Sequence, residues 1–145
     1  MVEIRQPQTP AEWEAYYDLR YRVLREPLEQ PRGSERNEGD ETGIHFALYE
    51  DNRLLAIARL DNADTAIAQV RFVAVETDQQ RKGTGRKIME AVELKCAEMN
   101  VQKIILHARD YAVSFYQGMD YVLVAPSYKL FDVLQHFLME KELSQ

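Results

Sequence analysis

This sequence of 145 residues has little cysteine, no long apolar segment and no excess of positive charge. Cys96 is the only cysteine, which excludes an internal disulfide and leaves no thiol pair for a zinc site. No apolar run approaches the roughly 20 residues needed to cross a bilayer. The 18 Lys and Arg residues are outnumbered by 24 Asp and Glu residues, and the formal net charge is −6. This balance argues against a nucleic-acid-binding protein and against a membrane anchor.

The remaining composition is that of an ordinary folded protein. Hydrophobic residues make up 46% and charged residues 29% of the chain, which excludes wholesale disorder. The length fits one domain spanning residues 1–145. The first ten residues lack the apolar segment that is typical of a secretory signal, so we expect a cytoplasmic protein.

The negative net charge conceals two segments of opposite sign. Residues 35–51 contain six acidic side chains and one basic one, whereas residues 81–87 contain four basic side chains and no acidic one. An isolated charged segment is commonly just a solvated loop, so the surroundings of the basic segment decide its meaning. Together the two segments suit a protein that handles one anionic and one cationic ligand.

Hydrophobic periodicity and turn residues predict helices and strands in mixed order. Thr9, Pro10 and Glu12 form the capping-box start of a helix that ends before Pro27. The other predicted elements are strands at 45–49, 54–60, 66–75, 103–107 and 121–124, a helix from 83–85 to Asn100, and a short helix at 112–117. The apolar residues of 130–138 fit a helical period, but 137–143 could also form a strand. The order indicates a mixed α/β fold.

The most informative segment is the glycine-containing turn between the third strand and the long helix. Gly83 and Gly85 let an anion approach the backbone closely, and the unpaired N–H groups of a helix start attract negative charge. Basic side chains surround the turn, namely Arg81, Lys82, Arg86 and Lys87. The spacing matches neither a nucleoside-triphosphate loop nor a dinucleotide fingerprint. We therefore interpret the segment as an anion site suited to pyrophosphate.

With these residues in place, the sequence resembles the GNAT superfamily of N-acetyltransferases. Residues 80–85 (QRKGTG) match the Gln/Arg-x-x-Gly-x-Gly/Ala signature of that family. Residues 106–116 (LHARDYAVSFY) are similar to its Leu-x-Ala and Ala-x-x-Phe-Tyr segment, although Tyr111 stands where many relatives have Asn. Residues 136–141 (HFLMEK) are similar to a terminal strand of one bacterial branch, which favours a strand for the tail.

The resemblance implies a specific α/β fold. Its core is a twisted, mostly antiparallel sheet of six or seven strands in which two central strands splay apart, flanked by about four helices. Acetyl-CoA lies in that gap, pairs with the strand before the loop and places its pyrophosphate on the loop. The cofactor-binding residues implied here are Phe72, Val73, Ala74, Val75, Gln80, Arg81, Lys82, Gly83, Thr84, Gly85, Arg86 and Tyr111, and no metal is implied.

Acetyl transfer to an amine needs an acid for the departing thiolate and a base for the amine proton. Tyr116 matches the family's general acid, and a phenol with a pKa near 10 keeps its proton at pH 7. The base is left open among His45, His107, Glu41 and Glu76. The three histidines of the chain are the only side chains that titrate near neutrality without perturbation.

These expectations define one leading function and two alternatives. The leading function is transfer of acetyl from acetyl-CoA to a primary amine of a small cationic acceptor, which the acidic segment would attract. The alternatives are a non-catalytic acyl-CoA sensor and an acetyltransferase that acts on proteins or peptides. A homodimer is left open, with the aromatic first helix as a candidate surface.

Overall fold

The computed structural model describes residues 1–143, which form seven strands and three α-helices. The strands are β1 (Val2–Arg5), β2 (Ile44–Glu50), β3 (Arg53–Asp61), β4 (Ile67–Val75), β5 (Lys103–Arg109), β6 (Val122–Leu130) and β7 (Leu134–Glu142). The helices are α1 (Pro10–Leu24), α2 (Thr84–Glu98) and α3 (Val113–Gln117), and short 3-10 turns cover Glu26–Leu28, Glu38–Glu41, Thr77–Gln79 and Asp110–Ala112. None of the helices in residues 1–143 is long and apolar enough to cross a bilayer.

All seven strands belong to one sheet in the order β1-β2-β3-β4-β5-β7-β6. Every neighbouring pair is antiparallel except β4 and β5. The predicted hairpin of β2 and β3 is confirmed, and the tail is a strand because β7 pairs with β5 along seven residues. The mixed α/β fold and the mostly antiparallel sheet are therefore as predicted, while β1 was not predicted.

The two long helices cover opposite faces of the sheet. Strand residues alternate in direction, so Ala47 faces α1 and packs with Tyr16 and Leu19, whereas Leu48 packs in the core that contains Ile88 of α2. The capping box predicted for α1 is confirmed: the Glu12 backbone N–H donates to Thr9 Oγ1 at 3.1 Å. These two layers hold the sheet between them and leave its central gap open at one end.

The two central strands pair over only part of their length. β4 and β5 are joined from Ile67–Lys103 to Val70–Leu106, and beyond that point β5 continues with β7 alone. On its other side, β4 shifts register against β3 near Phe72, whose φ of 56° lies in the left-handed region. Such a bulge bends a strand and redirects its side chains. The splayed gap of the predicted fold is therefore present.

Candidate functional site

The gap between β4 and β5 opens into a cavity of about 1140 Å³. Its walls come from the end of α1, the second half of β4, the turn before α2, the end of β5 and α3, with Tyr128 and Leu130 of β6 and His136 of β7 at one side. A second cavity of about 700 Å³ lies between α1 and residues 32–36. The larger cavity is where the predicted site residues converge.

The turn before α2 forms one end of the large cavity. Gly83 is the N-cap residue with φ of 83°, a conformation that L side chains rarely adopt, and it leaves the first turn of α2 without a side-chain cap. A Cβ on Gly85 would lie 3.3 Å from the Phe115 ring, so a small residue is needed there. The free amides and the positive helix end therefore face the cavity beside Arg81 and Arg86.

The structure brings most of the predicted cofactor-binding residues to this cavity. Those that line it are Phe72, Val73, Ala74, Val75, Gln80, Arg81, Gly83, Gly85, Arg86 and Tyr111. Lys82 is exposed and Thr84 is buried, and neither lines the cavity. Tyr111, at the position where many relatives have Asn, is largely exposed, and its hydroxyl accepts a hydrogen bond from Arg109 at 3.2 Å.

Tyr116 lies on α3 and contributes to the same wall. Its side chain is 7% exposed and packs between Phe115 and Tyr121, with ring centroids 5.0 and 5.7 Å away. Burial raises the pKa of the Tyr116 phenol above its ordinary value. The hydroxyl therefore stays protonated across the physiological range and can serve as a proton donor inside the cavity.

Of the four predicted bases, only His107 lines the cavity. Its Nδ1 atom is buried and has no hydrogen-bond partner within residues 1–143. Burial and, second, the charge of Arg71 lower the pKa of His107, so the ring is neutral at pH 7 and can accept a proton. Glu76 lies outside the lining and is paired with Arg22 at 2.8 Å, and exposed Glu41 also lies outside it.

His45 is part of a separate buried network beneath α1. Its Nδ1 lies 2.8 Å from the Tyr16 hydroxyl, and its Nε2 lies 2.9 Å from the Asp40 carbonyl oxygen. Both ring nitrogens are therefore occupied by neighbours on the protein. Burial lowers the pKa of His45 as well, so this ring is a neutral member of a closed network.

Three of the six carboxylates in the acidic segment 35–51 form ion pairs within the protein. Asp40 bridges the fully buried guanidinium groups of Arg20 and Arg59 at 2.8 Å each. Glu35 is buried and paired with Arg36, while Asp51 pairs with the N-terminal amine. None of these carboxylates lines the large cavity. Their main observed partners are the protein's own cations.

Several cavity residues were not predicted as site residues. They include Arg25 at the end of α1, Arg109 at the end of β5 and Tyr128 of β6. His136, one of the three histidines that titrate near neutrality, also lines the cavity and stacks on Tyr128 with ring centroids 4.5 Å apart. Arg109 follows His107 at a spacing of two, which places both on one face of β5. That alternation was readable from the sequence, whereas the approach of α1 and β6 depends on tertiary packing.

Comparison with known proteins agrees with this geometry. The family model of the acetyltransferase (GNAT) domain matches residues 18–143. A UPF0039 protein of Schizosaccharomyces pombe is 30% identical over 102 residues, which cover 68% of this chain and 67% of that protein.

Two solved structures share the fold along nearly the whole chain. Escherichia coli ElaA superposes with a TM-score of 0.82 at 18% identity, with 98% of this chain and 100% of that one covered. A GNAT family acetyltransferase from Elizabethkingia anophelis, solved with acetyl-CoA bound, gives 0.76 at 16% identity, with 99% and 97% covered. Because the family match spans most of the sequence, this chain belongs to the GNAT acetyltransferase family.

Proposed function

We propose that this protein transfers the acetyl group of acetyl-CoA to a primary amine by direct attack in the β4–β5 cavity. The observation that supports this most strongly is one continuous cavity that joins an anion-binding helix start to a buried tyrosine. At one end the cavity suits a pyrophosphate, and in its middle it offers an unpaired strand edge and a proton donor. That combination suits an acyl-CoA thioester.

The residues of the first end fit the donor group by group. The amides at the start of α2 would hold the pyrophosphate, with Arg81 and Arg86 supplying positive charge. Beyond Val70, the edge of β4 that faces the gap has no strand partner within residues 1–143, so its backbone can pair with the amides of the pantetheine arm. Gly85 leaves room for this path beside Phe115.

Two side chains would carry the proton transfers. His107 accepts a proton from the attacking amine as the new N–C bond forms, and Tyr116 donates its proton to sulfur as the C–S bond breaks. Both side chains line the cavity, and burial keeps His107 neutral and Tyr116 protonated before reaction. The products are one amide and one free thiol. His107 then loses its added proton and Tyr116 regains its own by exchange with solvent.

The acceptor predicted from the sequence is a small cationic amine. That prediction relied on the acidic segment, whose carboxylates lie outside the cavity lining, and two of them, Glu35 and Asp40, pair with arginines there. Among residues 1–143, the cavity lining contains five arginines and no carboxylate. Its charge therefore gives no support to a cationic acceptor, which stays a prediction.

The homodimer also stays a prediction, and its candidate surface changes. The aromatic residues of α1 are used internally, since Tyr16 is fully buried and Trp13 packs on Tyr16, Tyr17 and His45. Exposed apolar side chains occur instead on the edge strand β6. Light scattering at several protein concentrations would report the oligomeric state directly.

The test of the proposed function is release of free thiol from acetyl-CoA, with the acetylated product identified by mass spectrometry. Polyamines, amino acids, aminoglycosides and peptides would be offered separately. Acetylation of at least one small amine supports the proposal. Bound acetyl-CoA without any transfer indicates the sensor alternative, and transfer to peptides alone indicates the protein-directed alternative.

A further inference from the structure

The arginines of this protein fall into two groups according to their partners. Seven form an ion pair with a carboxylate: Arg5, Arg20, Arg22, Arg32, Arg36, Arg53 and Arg59. Five form none within residues 1–143: Arg25, Arg71, Arg81, Arg86 and Arg109. All five line the large cavity. In a chain with 24 acidic residues against 18 basic ones, the arginines that lack a carboxylate partner are thus gathered in one cavity.

The five unpaired arginines lie at two ends of the cavity. Arg81 and Arg86 flank the start of α2, where the proposed donor places its pyrophosphate. The other three lie where α1, β4 and β5 meet, and we call Arg25, Arg71 and Arg109 the acceptor arginines. The pyrophosphate of acetyl-CoA would compensate Arg81 and Arg86 at the loop. It would not reach the acceptor arginines, whose positive charge would remain uncompensated.

Contacts tie the acceptor arginines into one cluster. The guanidinium carbons of Arg25 and Arg71 lie 5.5 and 5.1 Å from the centroid of the Phe72 ring. Arg109 Nη2 donates to the Leu24 carbonyl oxygen at 2.9 Å, directly before Arg25 in the chain. The bulge at Phe72 places this ring on the α1 side of the sheet, where Arg25 and Arg71 meet over it, while Arg109 is tied to the end of α1 through Leu24.

The polar partners of the cluster are few and carry no negative charge. Arg25 donates to the carbonyl oxygens of Ser34 and Leu24, and Arg109 also donates to the Tyr111 hydroxyl. Arg71 makes no side-chain hydrogen bond within the described chain. Burial and the neighbouring Arg109 lower the pKa of Arg25. Like charges held together away from water raise the free energy of the empty site and favour an anionic ligand.

We propose that the acceptor arginines bind an oxyanion of the acceptor, a carboxylate or a phosphate, and so select amines that carry one. This inference rests on the proposed acetyl transfer, because it assigns the second substrate of the same cavity. Guanidinium groups match the two oxygens of a carboxylate or phosphate with paired N–H donors. The anion would be fixed beside Arg71 with the amine directed toward His107.

The same charges assist the nucleophile. A protonated amine cannot attack, and nearby positive charge disfavours the protonated form and lowers the pKa of an ammonium group. A carboxylate or phosphate on the acceptor offsets this repulsion for binding, while the amine end remains close to neutral His107. One cluster therefore both holds the acceptor and favours its reactive form.

The first test compares matched amines that differ by one anionic group. Lysine and cadaverine differ by a carboxylate, and O-phosphoethanolamine and ethanolamine differ by a phosphate. We expect kcat/KM to favour the anionic member about ten- to hundredfold, the range of a charge-assisted hydrogen bond. If only lysine is preferred over its partner, the bound anion is a carboxylate. If only O-phosphoethanolamine is preferred over its partner, the bound anion is a phosphate. Equal or higher kcat/KM for cadaverine and ethanolamine, which lack the anionic group, overturns the proposal.

Variants localise that preference. Arg71→Gln should remove most of the preference while leaving the Kd of acetyl-CoA unchanged, because Arg71 lies away from the pyrophosphate loop. Lys129→Gln removes the same charge from an exposed position of β6 outside the cavity and should leave the preference intact. A preference that is equally reduced by both variants would reflect overall charge and contradict the proposal.

A second test needs no turnover and separates this inference from the proposed function. The imidazole signals of His107 and His136 would be followed by NMR in CoA-saturated protein during titration with inorganic phosphate or acetate. We expect saturable shifts that disappear in Arg71→Gln. Shifts without any acetyl transfer would refute the proposed chemistry and leave the anion site standing. Absence of saturable shifts in wild-type protein would overturn the anion site itself.

Discussion

Tyr116 shows how burial fits a single residue to a role in acyl transfer. Its ring is almost fully buried, with Phe115 of α3 and Tyr121 just before β6 packed against it, yet the residue lines the cavity. Its raised pKa means that the phenol enters the reaction with its proton in place. The sequence pointed to Tyr116 through a motif, whereas its burial is a property of the packed fold.

Tyr116→Phe should lower kcat for acetyl transfer by about a hundredfold or more, the usual contribution of a general acid. The KM of acetyl-CoA should change little, because the phenol acts on the departing sulfur rather than on the bound donor. Steady-state thiol release measures both quantities. Tyr49→Phe makes the same change on β2, outside the cavity, and should keep full activity. Unchanged kcat in Tyr116→Phe would remove the acid role from Tyr116.

His107 gives a prediction about pH. Burial and Arg71 hold the pKa of His107 below 6.5, so kcat/KM should fall only as the pH drops below that value. Removing the cation in Arg71→Gln should move this acidic limb upward, toward 6.5. A pH profile of kcat/KM for the acceptor, recorded with saturating acetyl-CoA, gives the pH at which this acidic limb begins. An acidic limb at the same pH in wild type, Arg71→Gln and His107→Gln would exclude His107 as the base.

The site residues show what local sequence can and cannot supply. Gly83, Gly85 and their basic neighbours could be predicted because the strand, turn and helix that form the loop are contiguous in the chain. Which of His45 and His107 lines the cavity could not be predicted, because this depends on which face of the sheet α1 covers. Arg25 was missed for the same reason, since its neighbours across the cavity come from β4 and β5.

At the scale of elements, the long segment between α1 and β2 is held by buried charge. Asp40, in the turn Glu38–Glu41, is 10% exposed and bonds Arg20 of α1 and Arg59 of β3. Burial opposes the charge on Asp40, but hydrogen bonds from the two arginines outweigh it and lower the pKa of the carboxyl. This ion triad fixes the turn against both layers.

Asp40→Ala should therefore lower the free energy of unfolding by about 3 kcal/mol, because it leaves two buried guanidinium groups without that partner. Asp78→Ala removes a carboxylate whose pair with Arg53 is more than half exposed and should cost less than about 1 kcal/mol. Urea denaturation followed by circular dichroism compares the two. Equal losses would contradict a structural role for the buried triad.

Element prediction from sequence succeeded where the signal is local. The capping box of α1 and the hairpin of β2 and β3 have short-range causes, and both are present. The tail fits a helical period, yet it is β7, because a helix there would leave the outer edge of β5 without its seven paired residues. Strand β1 is short, and the pairing that the structure describes for it is with β2. It therefore forms a strand because β2 offers an edge, and not because its own residues show a clear strand pattern.

At the scale of the whole molecule, all three histidines share one property. Burial is the leading cause that lowers the pKa of His45, His107 and His136 below 6.5. The unfolded chain therefore binds more protons than the folded chain as the pH falls through 6.5. Stability contributed by the neutral rings is present above that pH and is lost below it.

The melting temperature should accordingly begin to fall as the pH decreases below about 6.5, before ordinary carboxylates take up protons. Each proton bound only by the unfolded state adds a slope of about 1.4 kcal/mol per pH unit to the free energy of unfolding. Calorimetry between pH 8 and pH 5, roughly the histidine range, measures this slope. Constant stability down to the carboxylate range would show that the rings are not held neutral in the folded protein.

Charge is also distributed across the molecule in a way that the net value of −6 does not show. Asp40 of the acidic segment holds two buried arginines, and the arginines without a carboxylate partner within residues 1–143 line the cavity. The proposed acetyl transfer requires that this cavity receives an acyl-CoA. Its most direct test is therefore a binding measurement that does not require the acceptor to be known.

That measurement is isothermal titration calorimetry of acetyl-CoA into wild-type protein, into the double variant Arg81→Gln with Arg86→Gln, and into Lys129→Gln as the control. We expect one site per chain with a Kd on the order of micromolar to tens of micromolar. We also expect about tenfold or greater weakening in the double variant and an unchanged Kd in the control. Absence of binding in wild-type protein, or equal affinity in wild type and the double variant, would show that the loop before α2 does not hold acetyl-CoA.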